Sequence, residues 1–147
     1  MRLLNETKEI PIGESTFKIG IIDRRRFHGI RVRYFAPTKF LTKLNPEELK
    51  GLSPAEIGLK AEEGMTQDQV QKNEEIFFSA QWDLVKFGVK GHSIKDDAGN
   101  EIPLIKDDGG CVADQTIEFY DLNKFFSKVA NEVFIFNTMS EDQKKNS

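Results

Sequence analysis

The densest run of chemically competent side chains is Arg24-Arg25-Arg26-Phe27-His28, followed by Arg31 and Arg33. Guanidinium groups meet phosphates, and the interleaved Phe27, Tyr34 and Phe35 can stack on bases, which is the chemistry of single-stranded nucleic-acid binding. The opposing reading is a solvated element face or a partner-facing edge. The chain as a whole is acidic, with a formal net charge of -3 and a pI near 5.5. That balance does not suggest a general polyanion binder.

Other candidate chemistry is sparse. His28 and His92 are the only histidines and Cys111 the only cysteine. None stands at ligand spacing from another, and zinc needs about four such ligands. No metal is expected. Asp96-Asp97-Ala98-Gly99-Asn100-Glu101 and Asp107-Asp108-Gly109-Gly110 lack the alternating ligands and distal glutamate of a calcium loop. They read as turns. Gly88-Val89-Lys90-Gly91 lacks the lysine–hydroxyl pair of a phosphate loop. Glu74 and Glu75 are adjacent on a helix and point apart, so they cannot share a proton. No catalytic residue and no cofactor is expected.

The elements that must position these residues are organised around a long amphipathic helix. Thr66-Gln67-Asp68-Gln69 is a capping box. Val70, Asn73, Phe77, Ala80, Leu84 and Phe87 follow at helical spacing, with Ile76 beside them. Gly88 and Gly91 end the helix, and Asp96 to Asn100 is a turn before Ile102-Pro103. Upstream, Lys8 to Ile22 reads as a hairpin turning at Gly13-Glu14-Ser15, with Pro11 marking an edge strand. Asp23 to Phe35 supports two readings. Ile30, Val32 and Tyr34 alternate as in a strand, while Phe27, Ile30 and Tyr34 share a helical face that Asp23 could cap. The alternation and Gly29 favour a strand from Gly29 to Phe35.

Asn45-Pro46-Glu47-Glu48 and Ser53-Pro54-Ala55-Glu56 each combine a capping residue, a proline at the first helical position and a glutamate two residues on. They predict two short helices, ending at Gly51 and Gly64. Lys106 to Asp114 is a loop. Ile117 and Phe119 form a short extended piece or open the last helix, whose apolar face is Leu122, Phe125, Phe126, Val129, Ala130, Val133 and Phe136. Ser140-Glu141-Asp142-Gln143 is another capping box before a frayed end.

The prediction is a single α+β domain, with an N-terminal antiparallel hairpin or sheet packed with two main amphipathic helices and short connecting helices. Residues 1–37 are β-rich, 45–88 helical, 89–116 turn and loop, 117–138 the C-terminal helix and 139–147 a flexible tail. No apolar run approaches the ~20 residues of a membrane span, and the N-terminus lacks a signal-peptide core. With a lone cysteine, a cytoplasmic protein is expected. Twelve phenylalanines among 147 residues imply a dense core or apolar surface shown to a partner. Phe78 and Trp82 lie off the main stripe of the central helix and Ile135 off that of the last one. These three are the candidate partner-binding residues.

The order of parts carries a resemblance. A Phe-x-Ile arm precedes a long helix ending in Trp82 and Phe87-Gly88-Val89-Lys90-Gly91-His92. Lys95-Asp96-Asp97-Ala98-Gly99-Asn100-Glu101-Ile102-Pro103-Leu104, a terminal helix and Met139-Ser140-Glu141-Asp142-Gln143-Lys144-Lys145-Asn146-Ser147 follow. This pattern, over about the C-terminal half, resembles small tailed-phage and prophage morphogenesis proteins, the tail assembly chaperones and minor tail proteins. The resemblance implies a non-enzymatic protein that binds an apolar, tape-measure-like helical client or tail subunits. A homo-oligomer is compatible with it. Two alternatives stand beside it: a virion component of the tail or head–tail connector, and a small nucleic-acid-binding regulator using Arg24, Arg25, Arg26, Arg31 and Arg33.

Overall fold

The turn at Gly13-Glu14 sets the first element pair. Strand β1 (Thr7–Ile12) pairs antiparallel with β2 (Ser15–Gly20), with Ile12 opposite Ser15 and Ile10 opposite Phe17. Gly13 takes φ +62 at the first turn position, where only glycine is unstrained. The computed structural model describes residues 3–35, 47 and 50–145. Their element order is β1, β2, α1 (Arg24–Tyr34), α2 (Pro54–Glu63), α3 (Gln67–Gly88), β3 (Val89–Lys95), β4 (Glu101–Ile102), α4 (Asp114–Leu122) and α5 (Phe126–Lys145). The fold class is α+β, as expected.

The chain forms two compact units: Met1–His28 with Gln81–Ser147, and Gly29–Ala80. The first holds an antiparallel sheet in the order β1-β2-β3-β4. β1 is an edge, and Pro11 lies in it, as its missing N–H requires. Alternation buries Ile10, Ile12, Phe17 and Ile19 on one side of the hairpin and leaves Glu9, Pro11 and Lys18 exposed on the other. α5 packs against β1 and β2, and α4 packs against α5. The core joins those isoleucines to Leu84 and Val85 of α3, Ile117 and Tyr120 of α4, and Val129, Val133 and Phe136 of α5. Gly88, at the end of α3, approaches α5 so closely that a Cβ there would collide with the Val133 side chain.

Four expectations need correction. Residues 24–34 are a helix and not a strand over 29–35. Asp23 caps it: its carboxylate accepts the Arg26 N–H at 3.0 Å and its carbonyl the Phe27 N–H at 2.9 Å. Phe27 and Ile30, one turn apart, are buried, while Val32 is 49% exposed. The helical face therefore outweighs the alternation. Residues 89–116 are more than turn and loop, because β3 and β4 lie within them. Ile19 pairs with Val89 but Lys18 with Gly91, so β3 spends one extra residue, Lys90, in a bulge. That bulge breaks the two-residue period that would have marked the strand. The predicted Asp96 turn is present: its carboxylate accepts the Ala98 and Asn100 N–H groups. The Asp107 carboxylate does the same for Gly109 and Cys111.

The third correction divides the C-terminal helix at Asn123-Lys124-Phe125. The Phe125 N–H donates to the Tyr120 carbonyl at 2.9 Å and that of Lys124 to Asp121 at 3.3 Å, a Schellman end with Lys124 at φ +64. Glycine normally marks this position, and lysine hides it from a sequence reading. Finally, α5 continues to Lys145, into the segment expected to be a tail. Glu, Gln and Lys are good helix formers, and extending a docked helix costs little.

In the second unit, α2 begins where Ser53 caps it, with Ser53 Oγ accepting the Glu56 N–H at 3.2 Å. Thr66 and Gln69 form the predicted reciprocal box at the start of α3. Tyr34 stacks on Phe77 at 4.9 Å between centroids. The short helix expected from Asn45 to Gly51 lies mostly outside the described residues.

Two substitutions test this packing. Gly88→Ala is expected to lower stability in urea by about 1–3 kcal/mol, with part of the loss recovered when Val133→Ala is added. Strictly additive losses would show that the two positions do not touch. Lys124→Gly should raise stability by about 1 kcal/mol by relieving the left-handed backbone. A decrease in the urea midpoint would contradict that assignment.

Candidate functional site

The apolar face read from the sequence for the last helix includes Ala130 and Val133, and Asn137 falls one turn beyond Val133 on α5. This amide is fully buried. Its Oδ1 accepts the Ile22 N–H at 2.8 Å and the Arg24 Nη2–H at 2.7 Å. Its Nδ2 donates to the Val133 carbonyl at 2.9 Å and the Gly20 carbonyl at 3.3 Å. Arg24 also reaches the Ile22 carbonyl at 2.9 Å and the Asn137 carbonyl at 3.3 Å. The arrangement closes the end of β2 and the start of α1 onto α5. A lone amide on an apolar stripe was the available sequence signal for it.

A second polar link ties the far strands to α4. The His92 ring meets the Tyr120 hydroxyl through Nδ1 at 2.5 Å and the Ile102 carbonyl through Nε2 at 2.7 Å. A carbonyl only accepts, so Nε2 carries a proton. In neutral His92, Nδ1 then accepts from the Tyr120 hydroxyl. Phe17 packs edge-on to both rings, at 6.1 Å from His92 and 5.3 Å from Tyr120, and lies 5.4 Å from Phe125. Burial pushes the Tyr120 phenol well above its ordinary 10.0. Both hydrogen bonds of the histidine are used inside the fold, so the pair joins β3, β4 and α4. Among the described residues, no group of His, Cys, Asp and Glu is placed to hold a metal ion.

The helix separates the arginines. Successive residues turn by about 100°, so Arg24, Arg25 and Arg26 point in different directions. Arg24 is committed to Asn137 and lies 5.0 Å from the Phe27 ring centroid. Arg26 pairs with Asp23 at 3.3 Å and lies 4.0 Å over the Phe87 ring. Arg25 is exposed and Arg31 half-buried. In the Gly29–Ala80 unit, Arg33 donates to Ser79 Oγ at 3.0 Å and to the Gly29 carbonyl at 3.4 Å. Arg24, Arg25 and Arg26 are not gathered on one face.

The three apolar candidates divide differently. Phe78 is 43% exposed on α3 within Gly29–Ala80. Ile135 is 41% exposed on α5. Trp82 is half-buried and packs on Phe126 at 6.3 Å, so its ring lies partly against the sheet unit's core. No helix among the described residues is long and apolar enough to cross a membrane. No family model, curated protein or solved structure matches this chain.

Tyr120 supplies a test through pH. Its folded pKa is raised, so its contribution is complete below the unfolded value of 10.0 and drains away as the pH climbs above it. Half-buried Tyr34 is shifted the same way by desolvation. Melting temperature should hold steady to about pH 9 and then fall. Tyr120→Phe should flatten the larger part of that fall, and an unchanged alkaline decline would remove Tyr120 as its source.

Proposed function

We propose that this protein is a non-enzymatic assembly protein that acts by protein–protein contact, holding an apolar helical client as the resemblance to tail assembly chaperones implies. The observation that carries this reading is the uneven burial of the two units. Among the described residues of Gly29–Ala80, Ile30 and Ala80 are the only buried hydrophobic side chains. The same unit exposes Val32, Phe35, Leu59, Ile76 and Phe78, each at 38% or more. Every other buried hydrophobic residue among the described ones belongs to the unit with the sheet.

The described side chains of this unit bury so little that they gain little free energy to offset the entropy of ordering them. Covering its apolar side chains would contribute about 25 cal/mol for each Å² removed from water. Helices present such residues in stripes, and an amphipathic client helix fits that geometry. Phe78 belongs to the contact, and Trp82, four residues further along α3, reports on it as the single tryptophan.

A synthetic amphipathic helix with leucines at three- and four-residue spacing is the probe. It should shift Trp82 emission and form a defined complex by light scattering. Phe78→Glu should weaken binding by about tenfold with the melting temperature unchanged. A monomer that takes up no such helix overturns the reading. Retention of the protein in purified virus particles would assign it to the virion instead.

A further inference from the structure

Among the described residues no strand pairs with the outer edge of β1, and this edge supports a separate inference. Ile12 and Ser15 flank a two-residue turn and so form a hydrogen-bonded pair. Bonded and non-bonded pairs alternate, so Lys8, Ile10 and Ile12 spend their backbone groups on β2. Thr7, Glu9 and Pro11 turn theirs outward. Pro11 has no N–H, so the edge offers both groups of Thr7 and Glu9 and the Pro11 carbonyl. All three residues are exposed.

The turn end of this edge borders a groove. Pro11, Ile12 and Gly13 form one wall of a cleft of about 270 Å³, and Lys128, Asn131 and Glu132 of α5 form the other. Ile135 lies on the same face of α5 as these, one turn further on. The helix runs antiparallel to β1: its Lys128–Glu132 end faces Pro11 to Gly13, while Asn137 bonds Gly20, the partner of Thr7. Exposed Ile135 therefore lies beyond the cleft in the direction of the Thr7 end of β1.

We propose that β1 is a docking edge for an extended segment of another protein, which adds as a fifth strand in the groove between β1 and α5. Strand addition draws affinity from main-chain bonds and selectivity from alternate side chains. The residue opposite Glu9 shares its face of the sheet, so a basic side chain is favoured there. Its two neighbours point to the α5 side, where apolar groups meet Ile135. The preferred segment therefore alternates apolar and basic residues. A second copy of β1 fits less well. A symmetric pairing centred on Glu9 sets like charges opposite one another and matches proline to Thr7. Pro11 and Glu9 thus discourage indiscriminate pairing while leaving the edge open to a basic strand. None of these residues belongs to Gly29–Ala80, so the inference stands apart from the client reading.

The test uses two fluorescein-labelled peptides, one alternating valine with lysine and one alternating valine with glutamate, titrated against the full chain. The lysine peptide should bind at least about tenfold more tightly, and Glu9→Lys should reverse the preference. Ile135→Asp, at an exposed position, should weaken binding by a similar factor with the melting temperature unchanged. Glu9→Pro should do likewise by deleting the outward N–H, since Pro11 shows that the outward register accepts proline. Phe78→Glu should leave peptide binding as it was. Equal binding of both peptides, or affinity untouched by Glu9→Lys and Ile135→Asp, overturns the proposal. A dimer that Glu9→Lys disperses would give the edge to a second copy and overturn it too.

Discussion

The side chain of Asn137 is the constraint on which the sheet unit depends. An amide has two donor hydrogens and an oxygen that can accept twice, and all four capacities are used. Its partners are Gly20 at the end of β2, Ile22 just beyond it, Arg24 of α1 and Val133 in α5's own preceding turn. Ile22 and Asn137 are 115 residues apart in sequence. The carboxylate of aspartate would lack the two donors, and leucine would orphan a buried N–H and a buried carbonyl, at about 1–3 kcal/mol each. Specificity follows from the burial. A polar group with no water available must find these partners, so α5 has one register against the hairpin.

Arg24 extends the same logic to the helix that follows. Its guanidinium binds Asn137 and the Ile22 carbonyl, which draws the first turn of α1 inward. A residue whose type suggested phosphate binding is thereby occupied within the fold. His92 and Tyr120 do for β3, β4 and α4 what Asn137 does for β2 and α1. In both places a polar contact fixes the position of elements whose apolar surfaces alone would allow sliding, because hydrophobic burial is non-directional.

The contrast between the units gives the functional reading its physical basis. One unit has a core of isoleucine, valine and aromatic side chains around a one-sided sheet. In the other, helices carry apolar residues that the described chain leaves exposed. Among the described residues, neither groups His, Cys, Asp and Glu so as to hold a metal ion. What they present are surfaces of different kinds: side-chain surface on helices in one, and backbone hydrogen-bonding groups at a strand edge in the other. The two proposals draw on these different surfaces, one for a helical occupant and one for an extended strand.

The sequence by itself determined the features whose causes are local. The hairpin at Gly13, the caps at Ser53 and Thr66, the long α3 and the aspartate turns each rest on residues within a few positions of one another, and each is present. It also marked Pro11 as an edge residue, because a missing N–H has the same consequence in any sheet. Tertiary structure decided the rest. Between strand and helix over 24–34, the burial of Phe27 and Ile30 and the bond from Arg24 to Asn137 tipped a balance that local pattern left open. The β3 bulge at Lys90 and the left-handed Lys124 break the periods and residue preferences that a sequence reading relies on. Of the candidate site, the residue types were legible and their grouping was not. Which arginine is consumed, which apolar side chain stays exposed and which strand edge stays open all depend on contacts between residues far apart in the chain, and the free energy of those contacts exists only once the chain has folded.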